Sequence, residues 1–139
     1  MQRHHRTLWF SALLIASCGG APNWQLACGC MPASNRAAQE LGITSFLEDG
    51  SIDAKLLVTK LDEYFSRPRD ATETLVAVRE LGPFHSQSCY QVNLHLVRCY
   101  YWLWAAANER RGIQVDIEGD IAGTPKGWSI THKYVEEPI

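Results

Sequence analysis

The hydrophobic period of the chain changes near Ser86, and this change constrains the fold more than any other feature of the sequence. Between residues 34 and 82, apolar residues recur at the spacing of amphipathic helices. After Ser86 they alternate with polar residues, which is typical of strands with one buried face. This order predicts an α+β fold, with short N-terminal helices packed on a C-terminal antiparallel sheet as a two-layer sandwich.

The third predicted helix has the clearest boundaries. Asp70 and Glu73 stand at the spacing of a capping box, in which each side chain accepts a hydrogen bond from the backbone of the other residue. Gly82 and Pro83 then form a strong stop signal. We therefore expect a helix over residues 70–81.

Strand patterns fill the C-terminal part of the chain. In residues 90–96 the even-numbered positions are apolar and the odd-numbered positions are polar, which predicts a half-buried strand. Residues 113–118 and 128–134 show the same alternation. Residues 98–104 are dense in aromatic side chains and favour another strand. A helix over residues 97–111 remains an alternative, because three consecutive alanines favour helix.

The densest aromatic cluster contains Tyr100, Tyr101, Trp102 and Trp104. On a regular strand Tyr100, Trp102 and Trp104 would share one face, and Tyr101 would point to the other. One set can lie in the core, while the other can be exposed or covered by a partner. Because aromatic residues are enriched in protein interfaces, Tyr101, Trp102 and Trp104 are candidates for binding a partner protein.

The start of the chain is basic and then apolar. Arg3 and Arg6 precede an apolar run that is too short to cross a bilayer, since a spanning helix needs about 20 apolar residues. A basic start followed by a short apolar run is typical of a secretory signal. We therefore predict a secretory signal segment at the start of the chain.

Ile15, Ala16, Ser17 and Cys18 resemble the signal of bacterial lipoproteins, in which an aliphatic residue and two small residues precede a cysteine. The resemblance implies cleavage before Cys18 and acylation of its thiol, with palmitate among the acyl chains that hold the protein on the membrane. Gly19 follows the cysteine, which implies the periplasmic face of the outer membrane in a double-membrane bacterium. This resemblance implies a signal peptide over residues 1–17, a lipidated tether over residues 18–32 and one domain over residues 33–139.

The predicted mature chain is mildly acidic. Removal of Arg3 and Arg6 leaves 11 of the 13 basic residues against 15 acidic ones, a net charge near −4. Such a balance does not neutralise phosphate groups, so no nucleic-acid partner is expected.

Lipidation of Cys18 would leave an even set of four of the five cysteines. In an oxidising compartment Cys28, Cys30, Cys89 and Cys99 are disulfide candidates. A bond between Cys28 and Cys30 would be strained, so either Cys89 pairs with Cys99 or the first pair cross-links to the second. A zinc site is less favoured, because a single residue between Cys28 and Cys30 differs from most zinc knuckles. We expect no metal and no other cofactor.

The sequence offers little for catalysis. His85, His95 and His132 are the histidines of the mature chain, and each is a possible general base. Their loop and strand settings favour structural roles, and the sequence has no nucleophile-elbow, P-loop or dinucleotide-binding motif. We therefore predict no catalytic residue and no enzyme activity.

The order of lipoprotein signal, tether, short helices and sheet resembles small envelope lipoproteins of the SmpA/OmlA type. This resemblance implies a lipid-anchored envelope protein with a non-catalytic protein-binding or scaffold role. One alternative is an immunity protein that neutralises a toxin acting in the periplasm. Another is a small-ligand binder or enzyme, because "GWSITHKYVEEPI" resembles the last strand of SnoaL-like (NTF2-like) domains. A deep apolar pocket that holds His132 or His95 with a carboxylate would favour the small-ligand alternative.

Overall fold

The computed structural model describes residues 33–44 and 53–138, and within them three helices precede a four-stranded sheet. The helices are α1 Arg36–Leu41, α2 Ala54–Phe65 and α3 Ala71–Arg79. The strands are β1 Ser86–Asn93, β2 Leu96–Ala105, β3 Glu109–Glu118 and β4 Ser129–Pro138, and a 3₁₀ turn, Pro125–Gly127, precedes β4. The strands pair antiparallel in sequence order. The predicted α+β class is confirmed, while the predicted signal peptide and tether lie outside the described residues.

Capping side chains fix the starts of α2 and α3. Asp53 accepts hydrogen bonds from two backbone N–H groups in the first turn of α2. At α3 the predicted capping box is present: the Glu73 backbone N–H donates to Asp70 over 2.7 Å, and the Asp70 N–H donates to the Glu73 carboxylate over 3.0 Å. The helix ends at Arg79, two residues before the predicted end.

The core lies between the helices and one face of the sheet, which we call the inner face. Six residues on this face have no accessible surface: Val97, Cys99, Tyr101, Ile113, Val115 and Ile117. Leu57 and Leu61 from α2 and Leu75 and Val78 from α3 belong to the same core. The opposite side of the sheet is called the open face here.

The first two strands differ in extent from their prediction. Strand pairing ends at Asn93, the chain turns at Leu94 and His95, and Leu96 already begins β2. The predicted strand over residues 90–96 is therefore wrong in its last three positions. The aromatic segment is a strand, so the alternative of a helix over residues 97–111 is also wrong.

The face that β1 buries also differs from the prediction. Cys89 pairs with the fully buried Cys99 and turns toward the core, so Tyr90 and Val92 lie on the open face. Their exposed fractions are 46% and 45%, and that of Leu94 in the turn is 77%. The alternation correctly indicates a strand with two different faces. The apolar face of this strand, however, is exposed and not buried.

Candidate functional site

The open face carries a row of three rings, Tyr90, Tyr100 and Trp102, which we call the aromatic ladder. The ring centroids of Tyr90 and Tyr100 are 6.3 Å apart, with 24° between the ring planes. Those of Tyr100 and Trp102 are 5.7 Å apart and nearly parallel, at 2°. Trp102 is almost fully buried, whereas Tyr90 is exposed. The ladder therefore offers outside partners mainly its two tyrosines.

Arg110 covers the Trp102 end of the ladder. Its guanidinium carbon lies 4.2 Å from the centre of the Trp102 ring, within the range of a cation–π interaction. Glu137 of β4 accepts hydrogen bonds from the same guanidinium. Together with Gln114 and the ladder, these side chains line a depression of about 450 Å³ in the open face.

A second ion pair borders the ladder on its other side. Arg98 donates from Nε and Nη2 to the two carboxylate oxygens of Asp116, over 2.8 and 2.9 Å. Gln114 donates a further bond to Asp116 over 3.2 Å. The hydrogen bonds from Arg98 lower the pKa of Asp116, so this carboxylate stays ionised and paired at neutral pH. Because both arginines of the open face are paired, the ladder is flanked by neutralised charges.

The structure separates the three partner-binding candidates. Tyr101 has no exposed surface and lies in the core, where burial raises the pKa of its hydroxyl. The expectation that Tyr101 reaches a partner is therefore wrong. Trp102 lies on the open face but is only 4% exposed, because its neighbours cover it. Trp104 is half-buried and does not belong to the ladder.

A β-bulge explains the position of Trp104. In the pairing of β2 with β3, Trp102 lies opposite Gly112, whereas Trp104 lies opposite Arg111. One residue of β2 is thus left without a partner, and the ring of Trp104 turns to the face opposite that of Trp102. The Arg111 guanidinium carbon lies 5.2 Å from the centre of that ring. The prediction that Tyr100, Trp102 and Trp104 share one face is wrong for Trp104.

His132 belongs to a second site, on the inner face near the edge of the sheet. Its Nε2 lies 2.9 Å from a carboxylate oxygen of Asp62, and its ring centroid is 4.5 Å from that of Phe65. Phe65 and His132 line a cavity of about 180 Å³ between α2, α3 and the sheet, which we call the His132 cavity. The structure thus pairs one predicted histidine with a carboxylate at a cavity, although the cavity is small.

The other two histidines contact backbone and loop groups. His95 lies in the β1–β2 turn, where its backbone N–H donates to Asn93 and its Nδ1 lies 3.3 Å from the Gly119 carbonyl oxygen. The His85 backbone N–H donates to the Trp102 carbonyl oxygen. Both histidines are exposed, and these contacts are those of turn and strand-end residues.

Two of the four disulfide candidates are described. The sulfur atoms of Cys89 and Cys99 are 2.02 Å apart, and the two residues face each other across β1 and β2. Cys18, Cys28 and Cys30 lie outside the described residues. In residues 33–44 and 53–138, no group of three or more His, Cys, Asp or Glu side chains is arranged to hold a metal ion.

Comparison of the chain with protein-family models, with curated proteins and with solved structures gave no match. Among the described helices, none has the length and apolar character needed to cross a membrane.

Sequence reasoning overlooked several residues of both sites. The alternation in residues 90–96 predicts Tyr90 on the buried side of a strand, and no sequence motif marks Arg98 or Arg110. The sequence offers one signal for Arg110: it lies in β3, the strand that follows the aromatic cluster of β2 and can pair with it. Arg67 and Arg69, which line the His132 cavity, come from a short loop with no motif. Their relation to His132 depends on contacts between segments more than 60 residues apart.

Proposed function

We propose that this protein is a lipid-anchored component of the bacterial envelope that binds another protein through its open face. The observation that carries the proposal is the aromatic ladder, with Tyr90 exposed, Tyr100 partly exposed and Arg110 packed on Trp102. Tyrosine, tryptophan and arginine are the residue types that contribute most to binding energy in protein interfaces. The anchor rests on the lipoprotein signal that ends at Cys18.

The charges of the open face favour a particular kind of partner surface. Arg98 and Arg110 are each paired with a carboxylate of the same chain, so they do not attract a strongly acidic partner or a phosphate backbone. Tyr90 and Val92 supply exposed apolar surface beside these pairs. The fitting occupant is a protein patch that presents apolar or aromatic side chains with neutral polar groups around them.

Cross-linking tests the position of the binding surface. A photoreactive amino acid at position 90 is expected to form a defined covalent adduct with a partner in envelope membranes. The same amino acid at position 56 is the control, because Leu56 is 40% exposed on α2, away from the open face. Identical adducts from positions 90 and 56 would contradict the proposal.

Affinity for the cross-linked partner then tests the ladder itself. Tyr100→Ala is expected to weaken binding at least tenfold, about 1.4 kcal/mol or more, since central aromatic residues are frequent hot spots. Leu56→Ala removes an exposed apolar side chain from α2 and should leave the affinity nearly unchanged. An unaltered dissociation constant for Tyr100→Ala would exclude the ladder as the binding site.

The anchor is tested separately. Cys18→Ser is expected to release the protein from membranes, because no thiol then remains for acylation at the lipoprotein signal. Cys28→Ser is the matched control, since Gln25 occupies the aliphatic position before Cys28 and makes that segment a poor signal. Intact mass of the wild-type protein should show loss of residues 1–17 and added acyl chains. A soluble wild-type product cleaved elsewhere would refute the anchor.

A further inference from the structure

The His132 cavity has an apolar floor and cationic walls. Val78 and Val115, which are 1% and 0% exposed, form the floor together with Ile130. Arg67 and Arg69 line the wall that comes from the loop between α2 and α3. Among the described residues, the lining of the cavity includes no Asp or Glu. A ligand in this space would therefore meet hydrocarbon on one side and positive charge on the other.

Arg67 and Arg69 differ from the other surface arginines of the domain. Four arginines form ion pairs with carboxylates: Arg36, Arg98, Arg110 and Arg111. Within residues 33–44 and 53–138, neither Arg67 nor Arg69 has such a partner. Their charges at the cavity are therefore not neutralised by a carboxylate of the described chain.

The ring of Tyr64 holds both guanidinium groups in place. Their central carbons lie 5.5 and 4.6 Å from its centroid, for Arg67 and Arg69 respectively. Arg69 also donates a hydrogen bond to the Tyr64 carbonyl oxygen over 2.7 Å. Since Tyr64 is itself buried, and its hydroxyl donates to the Ala77 carbonyl oxygen, this support is part of the core. The cationic wall is thus positioned before any ligand arrives, which reduces the ordering cost of binding.

His132 completes the polar side of the cavity. Its ring is held between Phe65 and the Asp62 carboxylate, so its orientation is fixed by two contacts. Asp62 is directed to His132 and does not line the cavity. The Asp62 carboxylate is therefore paired with the imidazole.

We propose that the His132 cavity binds a small carboxylate that carries a short apolar group. Guanidinium groups bind carboxylates through paired, charge-assisted hydrogen bonds. The carboxylate of the ligand would therefore bind to Arg67 and Arg69. The apolar end contacts Val78, Val115 and Ile130. The cavity volume of about 180 Å³ has room for a small ligand only, so the ligand is a short acid or the last residue of a peptide chain. This site lies on the inner side of the sheet and is independent of the binding proposed for the open face.

Methyl NMR of the full-length protein in detergent micelles tests the proposal directly. Isovalerate is the probe, and saturable shifts of the Val78, Val115 and Ile130 methyl signals are expected. Isovaleramide has the same shape without the charge and should bind at least about tenfold more weakly. Inorganic phosphate supplies charge without an apolar group. An absence of saturable shifts, or equal binding of phosphate, isovaleramide and isovalerate, would overturn the proposal.

A second arm identifies the source of the carboxylate. An acetylated glycyl-valine dipeptide with a free C-terminus is compared with its C-terminal amide. Stronger binding of the free dipeptide than of isovalerate assigns the cavity to a chain terminus, and the reverse order assigns it to a free acid. Both orders support a carboxylate with an apolar group, whereas equal binding of the dipeptide and its amide contradicts it.

Arg67→Gln tests the cationic wall. Arg67 is exposed, so the variant should fold, and isovalerate affinity should fall about tenfold, as expected for loss of a hydrogen bond to a charged group. Arg36→Gln removes an equivalent charge from α1, where Arg36 pairs with Glu40, and should leave the affinity unchanged. Equal affinities of Arg67→Gln and Arg36→Gln would exclude Arg67 from the site. None of these measurements depends on a partner protein, so failure here leaves the open-face proposal standing.

Discussion

Replacing Gly112 with alanine is expected to destabilise the domain more than any other single methyl addition to its described glycines. A Cβ atom at this position would overlap the Tyr101 carbonyl oxygen and lie 2.9 Å from the Trp102 Cα. Both obstacles are backbone atoms of β2, so no side-chain rotation relieves them. Overpacking in a core typically costs about 1–3 kcal/mol, and we expect Gly112→Ala to reach at least the top of that range.

Thermal unfolding followed by circular dichroism measures this effect. For a domain of this size, about 3 kcal/mol corresponds to a fall in Tm of roughly 12 °C or more. Gly127→Ala is the control, because a Cβ atom at Gly127 meets nothing within 4 Å. A Tm for Gly112→Ala close to that of Gly127→Ala would mean that β2 and β3 do not approach as closely as described.

The role of Gly112 depends on how closely β2 and β3 approach each other, which the hydrophobic pattern of the sequence does not show. Alternation in residues 113–118 predicted this part of β3 correctly, because each inward side chain is apolar and each outward one is polar, although the strand begins earlier, at Glu109. The bulge after Trp102 is a shift of register by one residue, which depends on how two strands meet and leaves no local signal in either. The face occupied by Trp104 could not be predicted for the same reason.

The helices were the more predictable part of the fold. The predicted helix over residues 70–81 begins with a capping box formed by Asp70 and Glu73, two residues that are only three apart. Such contacts are local, so the sequence alone specifies them. The orientation of β1 is not local, because it follows from the pairing of Cys89 with the buried Cys99. Tyr90 and Val92 were therefore expected in the core and are found at the surface.

In the candidate sites too, features formed by neighbouring residues could be predicted from the sequence, whereas contacts between distant segments could not. The aromatic cluster was recognised because its residues are consecutive, but which rings are accessible depends on packing from β1 and β3. Arg67 and Arg69 reach the His132 cavity only when the α2–α3 loop packs beside β4. Contacts across such distances in sequence are set by tertiary structure, and periodicity does not report them.

Loss of the Cys89–Cys99 bond is expected to lower the free energy of unfolding by about 2.8 kcal/mol. The two residues are 10 apart in sequence, and closing a loop of this length removes conformational entropy mainly from the unfolded chain. At about 4 °C for each kcal/mol, Tm should fall by roughly 11 °C when the bond is reduced. The measurement is thermal unfolding of protein exported to the periplasm, with and without reductant.

The double variant Cys89→Ala/Cys99→Ala provides the control. Reductant should lower the Tm of the wild-type protein strongly and that of the variant little. A large remaining effect in the variant would reveal a further bridge among the other cysteines of the chain. Alkylation of Cys89 and Cys99 in denatured, unreduced protein would show that the bond does not form.

The loss of stability should be concentrated in β1. Within residues 33–44 and 53–138, this strand is an edge of the sheet and pairs only with β2, and Cys89–Cys99 is the covalent link between the two strands. Because β3 keeps a neighbour on each side, hydrogen exchange after reduction should accelerate more at the amides of β1 than at those of β3. Tyr90 belongs to β1, so reduction should also weaken partner binding at the open face. The His132 cavity is built from other elements, and its affinity for isovalerate should change much less. Equal acceleration of exchange in β1 and β3 would contradict this local effect.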